Sequence, residues 1–138
     1  MSKDSIFTKI RKGEIPGDII YEDNDFFALL DIKPVNKGHV LVIPKEQHKD
    51  IFDMPEDEAA KYMKVVKKIS QAVMDATNCD GVNLLMNNKP ASGQIIYHAH
   101  IHVIPRFEGD GLQHWPGIQY ESEDKKKEYA SNIKKKLE

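Results

Sequence analysis

Three histidines alternate with apolar residues in Tyr97-His98-Ala99-His100-Ile101-His102-Val103. Successive side chains of an extended chain point to opposite faces, so the three imidazoles share one face while Ala99, Ile101 and Val103 share the other. The pattern predicts a strand over residues 95–104, closed by Pro105, with one face buried and one chemically active. Imidazoles spaced at about 7 Å cannot all hold a proton cheaply, since each added charge opposes the next. At least one should be neutral near pH 7 and so a competent nucleophile, with protonated neighbours stabilising anionic oxygens, a combination suited to phosphorus chemistry. Two other readings stay open. Any one of the three is a packed or exposed residue of no chemical consequence, or His-x-His supplies two nitrogens to a metal centre. Against the metal, no Asp or Glu lies near the strand before Glu108 to serve as further ligand or support.

The rest of the chain must cover that strand. Residues 4–10 carry apolar side chains at helical spacing behind a possible Asp4 cap, with Gly13 and Pro16 after them, and predict a short helix. Ile19–Glu22 and Phe26–Asp31, joined through Asp23-Asn24-Asp25, predict a hairpin. His39–Pro44 predicts a third strand on which His39, Leu41 and Ile43 face one way. Ala59, Met63, Val66, Ile69, Val73 and Met74 recur three or four apart and predict a long amphipathic helix over 56–78. Val82–Met86 predicts a fourth strand and Asn87–Gly93 a polar loop. Beyond Glu121, Tyr129, Ile133 and Leu137 at helical spacing predict a short helix whose lysine runs are its solvated face.

With 138 residues, 40% hydrophobic and 30% charged, the chain is sized for one domain, 1–138. Its net charge of −2 disfavours nucleic acid as a partner. The lone Cys79 excludes an intrachain disulfide framework, and the polar start Met-Ser-Lys-Asp lacks the apolar run of a signal peptide, so a cytoplasmic protein is expected. No segment has the roughly 18 apolar residues that a membrane helix needs.

The stretch Gly93-Gln94-Ile95-Ile96-Tyr97-His98-Ala99-His100-Ile101-His102-Val103-Ile104 resembles the His-x-His-x-His signature of the histidine triad superfamily. Asp4–Ile10, Gly13-Glu14-Ile15-Pro16, Leu30-Asp31-Ile32, Gly38–Lys45 and His114-Trp115-Pro116-Gly117 resemble the matching blocks of its Hint branch, so the likeness runs over 4–117 and leaves 118–138 as a charged extension. Local order and this resemblance together imply an α+β, HIT-like fold: a five-stranded, mainly antiparallel sheet packed by one long helix, with a short N-terminal helix.

The resemblance also implies a homodimer and a hydrolase acting at the α-phosphorus of purine nucleoside 5′-phosphoramidates (AMP or GMP conjugates), without cofactor or metal. His100 would be the nucleophile, forming a nucleotidyl-histidine intermediate that water resolves. His98 would orient it, His102 would contact the α-phosphate and His39 would complete the cluster. Asp31 would hold the ribose hydroxyls, Phe7, Ile10, Ile15 and Ile32 the base, and Asn87 and Gln94 would reach the phosphate.

Two departures stand out. Ile95 replaces the usual hydroxyl residue after Gly-Gln and has no proton to donate, with Ser92 as a possible substitute donor. Ser5 and Thr8 stand where many bacterial relatives have a Cys-x-x-Cys zinc pair, which argues against a structural zinc. Rival readings are a dinucleoside polyphosphate hydrolase, which Pro105-Arg106 resembles, a nucleotide-binding scaffold with little turnover, and a metal-dependent enzyme.

Overall fold

A computed structural model describes residues 3–138; Met1 and Ser2, the first half of the polar start, lie outside the described residues. Helix α1 is Ile6–Arg11 and strands β1 and β2 are Ile19–Glu22 and Phe26–Leu30. Strand β3, Val40–Pro44, is followed by the long helix α2, Glu56–Thr77. Strands β4, Gly81–Leu85, and β5, Ile101–Arg106, precede helix α3, Glu123–Leu137. The strands form one sheet in the order β1-β2-β3-β5-β4, and every pairing is antiparallel. The expected α+β architecture is therefore present. Among the described residues no helix is long and apolar enough to cross a membrane.

Both faces of the sheet are covered, which explains why β3 is apolar and buried at every position. Val40 and Val42 join Ala99, Ile101 and Val103 beneath α2, whose buried stripe is Tyr62, Val66, Ile69 and Val73. Tyr62, not Met63, fills the first turns of that stripe: Met63 is half exposed, while Tyr62 stacks on Phe26 and donates its hydroxyl to Val42 O. Leu41 and Ile43 face the other way, packing with Phe27, Leu29 and the α1 residues Phe7 and Ile10.

Three local expectations are corrected. Ser5, not Asp4, caps α1, its hydroxyl accepting from Thr8 N at 3.1 Å, while Asp4 pairs with Lys12. The strand predicted from residue 95 begins only at Ile101. The register aligns Val42 with Ile101, and continuing it would set Ala99 opposite Pro44, which has no N–H to offer. The Ala99 N–H donates instead to His48 O at 2.7 Å. Pro105 lies inside β5 rather than after it, because the ladder with β3 ends at Val103 and leaves an edge on which proline is tolerated.

Helix α3 lies where a short helix was expected but runs for 15 residues, with Ser122 as its cap, acidic residues in the first turn and Lys134, Lys135 and Lys136 in the last, matching the helix dipole. From Gly111 to the C-terminus every residue is exposed.

Candidate active site

The loss of ladder bonds before Ile101 leaves the first two histidines on backbone held by other means, yet the alternation survives. Phe7, on the α1 side, meets the rings of both His98 and His100 edge-on, at centroid distances of 5.8 and 4.9 Å. His102 follows on the same face, 5.1 Å from His100 and 5.1 Å from His39.

The partners of each ring assign its tautomer, because a carbonyl only accepts and a backbone N–H only donates. His100 Nδ1 lies 2.8 Å from His98 O and therefore carries the proton, which leaves Nε2 with a free lone pair. His39 Nδ1 accepts from Val35 N at 3.1 Å, so its Nε2–H donates to His102 Nδ1 at 2.9 Å, and His102 in turn carries its own proton on Nε2. His98 Nε2 donates to Pro44 O at 2.6 Å, making Nδ1 the acceptor toward Ser5 Oγ at 2.5 Å. An imidazole whose Nε2 carries no proton thus stands beside a second ring whose Nε2 carries one.

Burial depresses all four imidazoles. His98 is pushed down to about 4 by desolvation, partly offset by its bond to Pro44 O, and His102 to about 4 by desolvation and the neighbouring His100 and His39. His100 is lowered mainly by desolvation, against the pull of His98 O and Asp31, and His39 is lowered by desolvation against Asp31. Each is neutral at pH 7. The expectation of protonated neighbours is corrected: a dry site cannot sustain adjacent imidazolium charges, so the donors here are neutral N–H groups.

His100 and His102 line an apolar cavity of about 320 Å³ between α1, the end of β2 and the 87–96 loop. Phe7, Ile10, Asp31, Ile32 and Asn87 line it as well, so seven of the predicted site residues converge. Asp31 is its carboxylate, with one oxygen accepting from Lys33 N and the other 3.6 Å from His39 Nε2. Gly93, at φ 103°, supplies the left-handed backbone that turns the loop beside the Asn87 amide.

The structure places four others elsewhere. Ile15 packs behind the α1-side core. Gln94 is buried as a brace for the loop, its amide N–H donating to Lys49 O and Ile96 O and its carbonyl accepting from Lys89 N. His39 and His98 stand behind the cavity wall. Ile95 lies on that wall and is 86% exposed, and the Ser92 hydroxyl is spent on Asn88 O and Lys89 O, so it does not substitute for the missing donor.

A second cleft, of about 400 Å³ beside Arg106, is more polar but its cation is committed. The Arg106 guanidinium bonds to both carboxylate oxygens of Asp110, to Asn83 Oδ1 and to Leu112 O. Among the described residues, two groups have donor atoms close enough to hold a metal: Asp31 with His39 and His102, and Glu46 with His48 and Glu58. In the first, the His39–His102 bond already occupies one nitrogen of each ring.

Sequence reading missed Ser5, Gln47 and His48, which meet the triad through the fold. Ser5 drew attention only as the position of an absent cysteine.

The HIT domain family model matches residues 12–109. The chain is 42% identical over 112 residues to the adenylylsulfatase HINT3 of Arabidopsis thaliana, covering 81% of this chain and 57% of that protein. It is 38% identical over 117 residues to the adenosine 5′-monophosphoramidase HNT1 of Candida albicans, covering 80% of this chain and 77% of that protein. A crystal structure from Streptococcus mutans superposes with a TM-score of 0.89 at 38% identity, over 100% of this chain and 88% of that one.

Proposed function

Because the chain belongs to the HIT domain family, we propose that it hydrolyses purine nucleoside 5′-phosphoramidates, or related nucleotidyl conjugates, at the α-phosphorus. The observation that carries this reading is the tautomer of His100: with Nδ1–H tied to His98 O, the Nε2 lone pair is left free on a ring that lines an apolar cavity together with His102. His100 Nε2 attacks the α-phosphorus, a P–Nε2 bond forms, and the P–N bond to the leaving amine breaks, the amine taking a proton from solvent. Water then cleaves the P–Nε2 bond and releases the nucleoside monophosphate. His102 Nε2–H stabilises charge on the phosphoryl oxygens as it develops, and a preorganised neutral donor in a dry site does this well. Asp31 accepts from the ribose hydroxyls, and Phe7, Ile10 and Ile32 hold the base. The relatives named for adenylylsulfatase and adenosine monophosphoramidase activity support the reaction class.

The test is turnover of a fluorogenic adenosine 5′-phosphoramidate by wild type and His100→Ala, both treated with EDTA. Turnover that survives chelation and vanishes in the variant is expected. Loss on chelation points to a metal-dependent enzyme. Tight nucleotide binding without turnover points to a binding scaffold, the reading that the exposed Ile95 favours. The dinucleoside polyphosphate reading loses support, since Arg106 is consumed by Asp110 and Asn83.

The same reading takes the whole chain as one cytoplasmic domain that works as a homodimer, with AMP or GMP as the bound moiety. The pairing is supported by the exposed segment from Gly111 onward, in which Trp115, Ile118, Ile133 and Leu137 stay exposed within their own chain.

A further inference from the structure

The nucleophile sits on backbone that the sheet does not hold, since β5 starts one residue after it. Two anchors replace the ladder there: Ala99 N–H to His48 O, and the His98 ring, which is fully buried and bonded through both nitrogens. One of the ring's two partners, Pro44 O, is main chain and present in any sequence that folds this way. The other is a side chain, Ser5 Oγ, contributed from 93 residues away.

The hydroxyl has little choice of partner. Thr8 spends its own hydroxyl on Gln47 Oε1 at 2.8 Å, which also accepts Ser5 N at 2.7 Å, while Gln47 Nε2 holds Lys3 O at 2.9 Å. Ser5 Oγ accepts from Thr8 N, so its own proton goes either to Thr8 Oγ1 at 3.3 Å or to His98 Nδ1 at 2.5 Å. The shorter contact wins. A donor on Nδ1 obliges His98 to carry its proton on Nε2, toward Pro44 O. A ring held at both ends fixes the His98 backbone, whose carbonyl is the acceptor for His100 Nδ1–H.

We propose that Ser5 is a positioning residue for the nucleophile: by donating to His98 Nδ1 it locks the His98 carbonyl in the place that keeps His100 in its Nδ1–H, nucleophilic-Nε2 tautomer. This rests on the hydrolase reading above only for its effect on turnover; the tautomers are observable without substrate.

Ser5→Gly separates this role from helix capping, because glycine caps nearly as well as serine yet has no hydroxyl. Ser5→Thr keeps both. Long-range ¹H–¹⁵N spectra of the free protein report the tautomers, and steady-state kinetics on the adenosine 5′-phosphoramidate report the consequence. Wild type should show His98 protonated on Nε2 and His100 on Nδ1. In Ser5→Gly both signatures should average, with kcat reduced roughly tenfold and KM within about twofold, as suits a misplaced nucleophile, and Ser5→Thr should restore them. Unchanged tautomers in Ser5→Gly, or a kcat loss that Ser5→Thr does not recover, would overturn the proposal. An inert wild type whose tautomers respond as described would refute the hydrolase reading and leave the positioning role standing.

Discussion

The segment from His98 to Val103 presents two faces that solve opposite problems. Ala99, Ile101 and Val103 lie under α2 in an apolar layer held by close packing, with the buried Tyr62 hydroxyl bonded to Val42 O. His98, His100 and His102 share the other face, where both nitrogens of the buried His98 ring are bonded while His100 and His102 are each bonded through Nδ1 alone. The first face packs the sheet on its helix; on the second the same burial removes charge and fixes tautomers. Stability and reactivity are therefore divided across one strand's thickness, and substitutions should separate them.

The largest separation is expected from His100→Ala. Turnover should fall by at least about a thousandfold, since the proposed nucleophile is gone, while the melting temperature stays within a few degrees. A stability loss comparable to that of a core variant would break the division. On the opposite face Val103→Ala empties a fully buried position and should destabilise by about 2 kcal/mol in denaturant melts, with kcat unchanged for the folded fraction. A large kcat loss there would show that the faces are coupled.

Acid should act through the histidine face. His98 and His102 stay neutral in the fold down to about pH 4, whereas an unfolded imidazole takes up its proton near pH 6.5. Over that window the unfolded chain binds more protons, so stability is full above about pH 6.5 and declines as pH falls toward 4, by on the order of 2 kcal/mol for His98. A flat stability profile from pH 7 to 4.5 would contradict this. The smallest effect is expected for Tyr62→Phe. It removes a buried hydroxyl donated to Val42 O and should cost about 1 kcal/mol with no change in kcat.

Local rules made much of this legible in the sequence. The period-2 alternation assigned each histidine to its face, and the period-3.6 stripe located α2 within a residue at each end. The shortened β5 was not readable, because it depends on Pro44 arriving opposite Ala99 from 55 residues upstream. Helical spacing alone did not distinguish Met63 from Tyr62; the flat surface of Phe26 made the choice. Gln94 looked like a phosphate contact from its neighbours in sequence. Its amide faces Lys49 and Lys89 instead, and nothing local announces that.

By itself the sequence determined the order and type of the strands and helices, and that three imidazoles would share one face, since those outcomes follow from backbone sterics and short-range periodicity. Only the tertiary structure decided their protonation and tautomers. Those depend on how far water is excluded and on which carbonyl, hydroxyl or second imidazole arrives from Ser5, Val35, His39 or Pro44, none of them a neighbour along the chain.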